Sequence, residues 1–139
     1  MLGECEVLCV CPELTETSRT IVNADALAAL PKGSFVINTS RGQTLDLDAL
    51  ADAVDSGHVA GAGLDVYEPE PLPAGHRILE HPKIVLTPHT AGLSTETTKR
   101  MTVNAVEQLL TAVRGDLPPF VLNPESWEGP QSRRPRPTD

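Results

Sequence analysis

A guanidinium, a set of carboxylates and an imidazole each follow an apolar run in this chain. Arg41 comes after Ser34-Phe35-Val36-Ile37, Asp65 after Val59 to Leu64 with Glu68 and Glu70 close behind, and His89 after Ile84-Val85-Leu86. An arginine carries a planar fork of donors that grips a carboxylate, or a carbonyl–carboxylate pair, bidentately. An imidazole accepts and returns a proton near neutral pH, and a neighbouring carboxylate decides which ring nitrogen carries it. By residue type alone each also has an ordinary structural reading. Arg41 could be a surface ion pair, Asp65 a strand-end cap, Glu68 and Glu70 a solvated acidic loop, and His89 a loop histidine.

These residues matter together only if the chain brings them to one place. The apolar runs read as buried strands over Glu6–Val10, Ser34–Asn38, Val59–Asp65 and Ile84–Thr87. Between them Asn23 caps a short helix, Ala24–Leu30, which Pro31-Lys32-Gly33 ends. Asp46 caps a second helix through Ser56, with Leu47, Leu50 and Val54 as one buried stripe, Asp48, Asp52 and Asp55 facing water, and Gly57 as its terminator. Tyr67 to Pro82 reads as a long loop rich in proline and charge. Ser94 caps the longest helix, Thr95–Arg114, with Val103, Val106, Leu110 and Val113 as its apolar stripe. Alternation of strands and helices predicts parallel strands with helices on both faces, an α/β fold that is part of a doubly wound, Rossmann-type sheet. Arg41, the acidic pair and His89 would then all leave the carboxyl ends of strands, where open α/β sheets bind ligands.

Four stretches in order carry a family resemblance. Val7-Leu8-Cys9-Val10-Cys11-Pro12 with Ile21-Val22-Asn23, then I-N-T-S-R-G at 37–42, G-L-D-V-Y-E-P-E-P at 63–71 and T-P-H-T-A-G at 87–92, resemble the NAD-dependent D-isomer-specific 2-hydroxyacid dehydrogenases. The resemblance runs from about Glu6 to Asn123. It implies a reversible oxidation of a 2-hydroxy acid to a 2-oxo acid, with NAD taking the hydride and NADP also admissible. It implies catalytic roles for Arg41, which orients the substrate, for His89, which moves the proton, and for Glu70, which partners His89. The family pattern sets that acid five positions after the aspartate, which selects Glu70 over Glu68. Asp65 is implied in holding the nicotinamide carboxamide. Cys11, Pro12, Thr39, Ser40, Arg41, His89 and Gly92 match positions that pass the cofactor. A non-catalytic NAD-binding or corepressor-like module is the alternative implied by the same residues.

The glycine-rich phosphate loop of the family and its substrate domain are expected upstream of Met1, so the chain reads as a truncated or split enzyme. Gly61-Ala62-Gly63 does not replace that loop, because no helix begins after it. Half a sheet leaves apolar surface uncovered, which predicts a homodimer or a missing N-terminal portion as partner. The chain of 139 residues divides on this reading into 1–122, the C-terminal part of the NAD-binding domain with its long helix, and 123–139, a disordered tail in which Arg133, Arg134 and Arg136 are solvated.

Composition narrows the partners. A formal net charge of −8 argues against nucleic acid and anionic membrane surfaces. No apolar run reaches the roughly 20 residues that span a bilayer. The start, Met-Leu-Gly-Glu-Cys-Glu, lacks a basic, apolar leader, which predicts a cytoplasmic protein. No metal site is expected. Cys5, Cys9 and Cys11 are read as small buried hydrophobes on one strand face, and His58, His76 and His81 as solvated loop or helix-end residues.

Overall fold

The structure, a computed structural model, describes residues 1–128. It falls into two units, one of Met1–Ala91 and one beginning at Gly92. In the first, β1 (Val7–Val10), α1 (Ala24–Ala28), β2 (Ser34–Asn38), α2 (Leu47–Asp55), β3 (Val59–Leu64) and β4 (Ile84–Leu86) follow one another. The second holds α3 (Thr95–Val113) and a single helical turn, α4 (Glu125–Glu128), inside the segment read as tail; positions 129–139, with the three arginines, lie outside the described residues.

All four strands run parallel, in the sheet order β1-β2-β3-β4. Val10, Asn38, Leu64 and Leu86 stand side by side across it, so the strands end almost level and their outgoing loops share one edge. The helices start where the caps dictate. Asn23 accepts a hydrogen bond from Ala26 N–H at 2.9 Å, Asp46 from Ala49 N–H at 3.0 Å and Ser94 from Thr97 N–H at 3.1 Å. Gly33, Gly57 and Gly115 take positive φ where the chain turns out of an element.

The two helices of the first unit, α1 and α2, pack on one face of the sheet rather than on both. Leu27 and Leu30 from the α1 region and Leu47, Leu50, Ala51 and Val54 from α2 form one core with Val10, Val36, Ala62, Leu64 and Ile84. The opposite face keeps Val7, Phe35 and Val85 half-exposed or more, at 50%, 48% and 67%. The reason is handedness. Two right-handed crossovers that step in the same direction across a sheet place their helices on the same side. Cys9 belongs to the bare face, and Cys11 follows the strand. Both are exposed and Cys5 is half-buried, so the cysteines are free thiols near the surface rather than core residues.

No helix joins β3 to β4. That connection is pinned instead by Ile78, fully buried in the core, and by Arg77, which reaches Asp52 at 2.8 Å and Asp55 at 2.6 Å on α2. His81 Nε2 lies 3.1 Å from Asp55, and a ring nitrogen of His58 lies 3.2 Å from the Leu27 carbonyl. These two histidines are half-buried and partnered, not solvated, because each bridges an element that the loop must meet. In the second unit α3 buries none of its residues, so Met101, Val106, Leu110 and Val113 form an exposed stripe. Among the described residues no helix is long and apolar enough to cross a membrane.

Candidate active site

The Arg41 loop is built on a buried amide. Asn38 ends β2 fully buried, donates to the Arg41 carbonyl at 3.2 Å and accepts from Ser40 N–H at 3.0 Å. Thr44, also fully buried, donates to the same Arg41 carbonyl at 2.7 Å. A buried amide and hydroxyl are stable there only because the loop curls back to satisfy them. The guanidinium stays at the surface, where it donates to the Ser40 carbonyl at 2.7 Å.

Gly42 lets a second loop lie directly on the first. A Cβ at this position would collide with the Tyr67 carbonyl and lie 2.7 Å from Glu68 N. The chain leaving β3 therefore crosses Gly42 at backbone contact, beside Arg41. Gln43 then hydrogen-bonds Glu68, which separates the two loop carboxylates by partner. Glu68 is engaged by Gln43. Glu70 places Oε1 2.9 Å from Tyr67 N–H and Oε2 3.0 Å from His89 Nδ1. The His89 hydrogen bond, followed by the Tyr67 N–H, holds the Glu70 carboxyl below its ordinary value against the opposing effect of burial.

His89 occupies left-handed backbone, φ 56°, a region that non-glycine residues enter rarely. Its N–H donates to the Thr87 carbonyl at 3.1 Å, so the loop curls tightly around Pro88. Asp65 fastens both sides of that curl. It accepts from Thr87 Oγ1 at 2.5 Å, Thr90 N–H at 2.8 Å and Ala91 N–H at 2.9 Å. Burial pushes the Asp65 carboxyl up, but the Thr87 hydroxyl, the two N–H donors and the nearby His89 together bring it below the usual carboxylate value. The imidazole itself stands half in solvent, with 50% of its side-chain surface exposed.

Arg41, Glu70 and His89, with Tyr67 and Glu68, line one open cleft of about 400 Å³. Cys11, Pro12, Thr39 and Ser40 line an adjoining cleft of about 440 Å³, and Arg41 belongs to both. A third, of about 580 Å³, shares Tyr67, Glu70 and His89 with the first and is walled by Leu72, Leu79 and Leu86. Two residues stand apart from these clefts. Asp65 is 4% exposed behind the His89 loop, and Gly92 opens the second unit with nothing within 4 Å of a Cβ placed there. Gly61 and Gly63 serve packing inside β3. A Cβ on Gly61 would sit 2.7 Å from the Lys83 carbonyl, and one on Gly63 3.2 Å from Ile37 Cδ1.

Sequence reasoning missed Asn38, Gly42, Thr44 and Tyr67. Two left a signal. An amide closing an apolar run, as Asn38 does, has to be satisfied by its own loop. A glycine directly after a candidate site arginine, as Gly42 is, marks close backbone approach.

Comparison with known proteins reaches the same region of the chain. Residues 1–91 match the family described as D-isomer specific 2-hydroxyacid dehydrogenase, NAD binding domain. A glyoxylate reductase of Thermofilum pendens is 34% identical over 125 residues, which is 90% of this chain and 37% of that protein. Among solved structures, the TT0316 protein from Thermus thermophilus superposes with a TM-score of 0.82 at 40% identity, covering 87% of this chain and 39% of that one. A D-isomer specific 2-hydroxyacid dehydrogenase from Xanthobacter autotrophicus Py2, solved with NADPH and MES, gives a TM-score of 0.74 at 35% identity, covering 89% of this chain and 50% of that one. This chain thus spans between about a third and two-fifths of the curated relatives it matches. From strand order to the loop carrying His89, the chain belongs to the NAD-binding-domain family of the D-isomer specific 2-hydroxyacid dehydrogenases.

Proposed function

We propose that the chain carries the proton-transfer and carboxylate-binding residues of an NAD-dependent dehydrogenase that interconverts a small 2-hydroxy acid and its 2-oxo acid. The observation that carries this reading is the meeting of Arg41, Glu70 and His89 in one cleft, with His89 Nδ1 3.0 Å from Glu70. Arg41 grips the substrate carboxylate and draws on negative charge at the neighbouring oxygen. With Nδ1–H held by Glu70, the His89 Nε2 lone pair is left to take the hydroxyl proton as the carbonyl forms. In the reverse direction the same nitrogen returns it. A bound nicotinamide would supply the hydride acceptor for the carbon that bears the hydroxyl. The cleft of Cys11, Pro12, Thr39 and Ser40 adjoins Arg41, and its lining of a stiff proline and two hydroxyl side chains is compatible with the nicotinamide end of a dinucleotide. The family resemblance also gives Asp65 and Gly92 to the cofactor, Asp65 through the loop that it fastens. NADP is an alternative cofactor.

Three free thiols, two of them exposed, support a reducing compartment, the cytoplasm. The bare sheet face and the exposed α3 stripe support assembly with a second copy or with further polypeptide of the same enzyme.

The test is replacement of the equivalent histidine by glutamine in a full-length family member, with NADH titration of that variant. Abolished turnover with cofactor affinity retained is expected. Unchanged turnover would remove the proposal, and loss of cofactor binding alone would move His89 to the binding site. A turnover assay with 2-oxo acids separates an enzyme from a non-catalytic sensor.

A further inference from the structure

Tyr67 contacts the loops that carry Arg41, Glu70 and His89 without taking part in the proposed proton transfer. Its backbone crosses Gly42, next to Arg41. Its N–H donates to Glu70 Oε1 at 2.9 Å. Its hydroxyl donates to the Thr87 carbonyl at 2.5 Å, a proton shared with the Leu64 carbonyl at 3.0 Å. The Thr87 oxygen is the same one that accepts the His89 N–H at 3.1 Å. One residue therefore holds the carboxylate through its backbone and the imidazole's loop through its side chain.

We infer that Tyr67 is the positioning residue of the Glu70–His89 pair: its N–H fixes the carboxylate, and its hydroxyl braces the Thr87 carbonyl around which the His89 loop curls. Loops that leave two different strands set this 3.0 Å contact, and without the phenol only Asp65 among the side chains described would tie them together. A positive-φ histidine in an exposed loop persists only where its surroundings over-determine it. The phenol supplies one constraint from the β3 side, and Asp65 supplies the others. A plain phenyl ring at this place would keep the apolar wall shared with Leu72 and Leu86 but leave the Thr87 oxygen with the His89 N–H alone. Only the consequence for turnover rests on the proposed function; the geometry itself does not. The groups that face the imidazole are Glu70 at contact, Asp65 behind its loop, and Arg41, Glu68 and the Tyr67 phenol around the cleft.

The experiment reads the pair directly by NMR in the full chain and needs no catalysis. Ring nitrogen shifts of His89 report the ratio of Nδ1–H to Nε2–H forms, and the Glu70 carboxyl shift reports its titration. Tyr67→Phe is expected to lower that ratio about fivefold, the equivalent of one neutral hydrogen bond of about 1 kcal/mol. Glu70 would then titrate closer to its ordinary value. Arg77→Ala, which loosens the same connection far from the pair, is expected to lower the melting temperature and move neither signal. Unchanged signals in Tyr67→Phe overturn the inference. So does an equal change in Arg77→Ala, since that would mean general loosening. Should Tyr67→Phe fail to fold, a ring-fluorinated tyrosine replaces it, and because Tyr67 is the chain's only tyrosine the label is unique. Its fluorine resonance is expected to follow the Glu70 titration, and a flat trace overturns the inference. A responsive pair in an enzyme family member without turnover would instead count against the proposed function alone.

Discussion

Asp65→Asn separates a structural carboxylate from a cofactor ligand. The side chain is 4% exposed and accepts three hydrogen bonds, two on Oδ1 and one on Oδ2. An asparagine amide oxygen can keep the Thr87 hydroxyl and the Thr90 N–H, but its NH₂ then faces the Ala91 N–H, donor against donor. One bond to a charged acceptor is lost, worth roughly 1.5–3 kcal/mol. The two that survive fall to about half strength when the acceptor is neutral. The expected loss is about 3–6 kcal/mol, a large part of the roughly 5–15 kcal/mol that holds a domain folded. Urea unfolding followed by circular dichroism measures it, and faster hydrogen exchange at Thr90 and Ala91 locates it. The pH dependence has a definite sign. The folded carboxyl lies below its ordinary value, so its contribution is fully present above about pH 4 and is lost as pH falls through the folded value. The wild-type and Asn curves should therefore converge in acid. A loss below about 1 kcal/mol, or curves that stay parallel into acid, would refute the account of Asp65 as the fastening of the His89 loop.

Gly42→Ala is expected to destabilise by about 3 kcal/mol, the upper end for overpacking, because backbone blocks its Cβ; stability near wild type would show that the two loops do not depend on their contact. Ile78→Ala is expected to remove roughly 2–5 kcal/mol by leaving a cavity in the core beneath the β3–β4 connection, read as the shift of the urea midpoint. A thiol reagent is expected to modify Cys9 and Cys11 in the folded chain ahead of Cys5, as followed by peptide mass analysis.

The strands and helix starts were legible because local chemistry dictates them. Ser34–Asn38 is a short apolar run bounded by a turn glycine and a polar loop, and Asp46 caps α2 by its own carboxylate. The four candidate strands matched to within a residue or two for the same reason. The face of the sheet that the helices cover was not legible, since handedness acts over two crossovers and leaves no mark in any window of residues. The burial of the cysteines was misread as a result. Within the candidate site, the types and order of Arg41, Glu70 and His89 could be read from their motifs, and Glu70 was separable from Glu68 only by family pattern. Their supports could not be read so easily. Tyr67 acts through a phenol that spans from one strand end to another, and Ile78 anchors a segment whose composition looks solvated. Both depend on contacts made across long sequence separations.

Half of the His89 side chain meets water in the resting chain. In the proposed proton transfer, an acid–base group so placed would need no relay of side chains or buried waters to reload. Bulk solvent and its buffer can refill the imidazole between cycles, provided that whatever covers the cleft during reaction withdraws afterwards. The rate of that withdrawal, rather than the strength of the imidazole as a base, would then set how fast protons enter and leave.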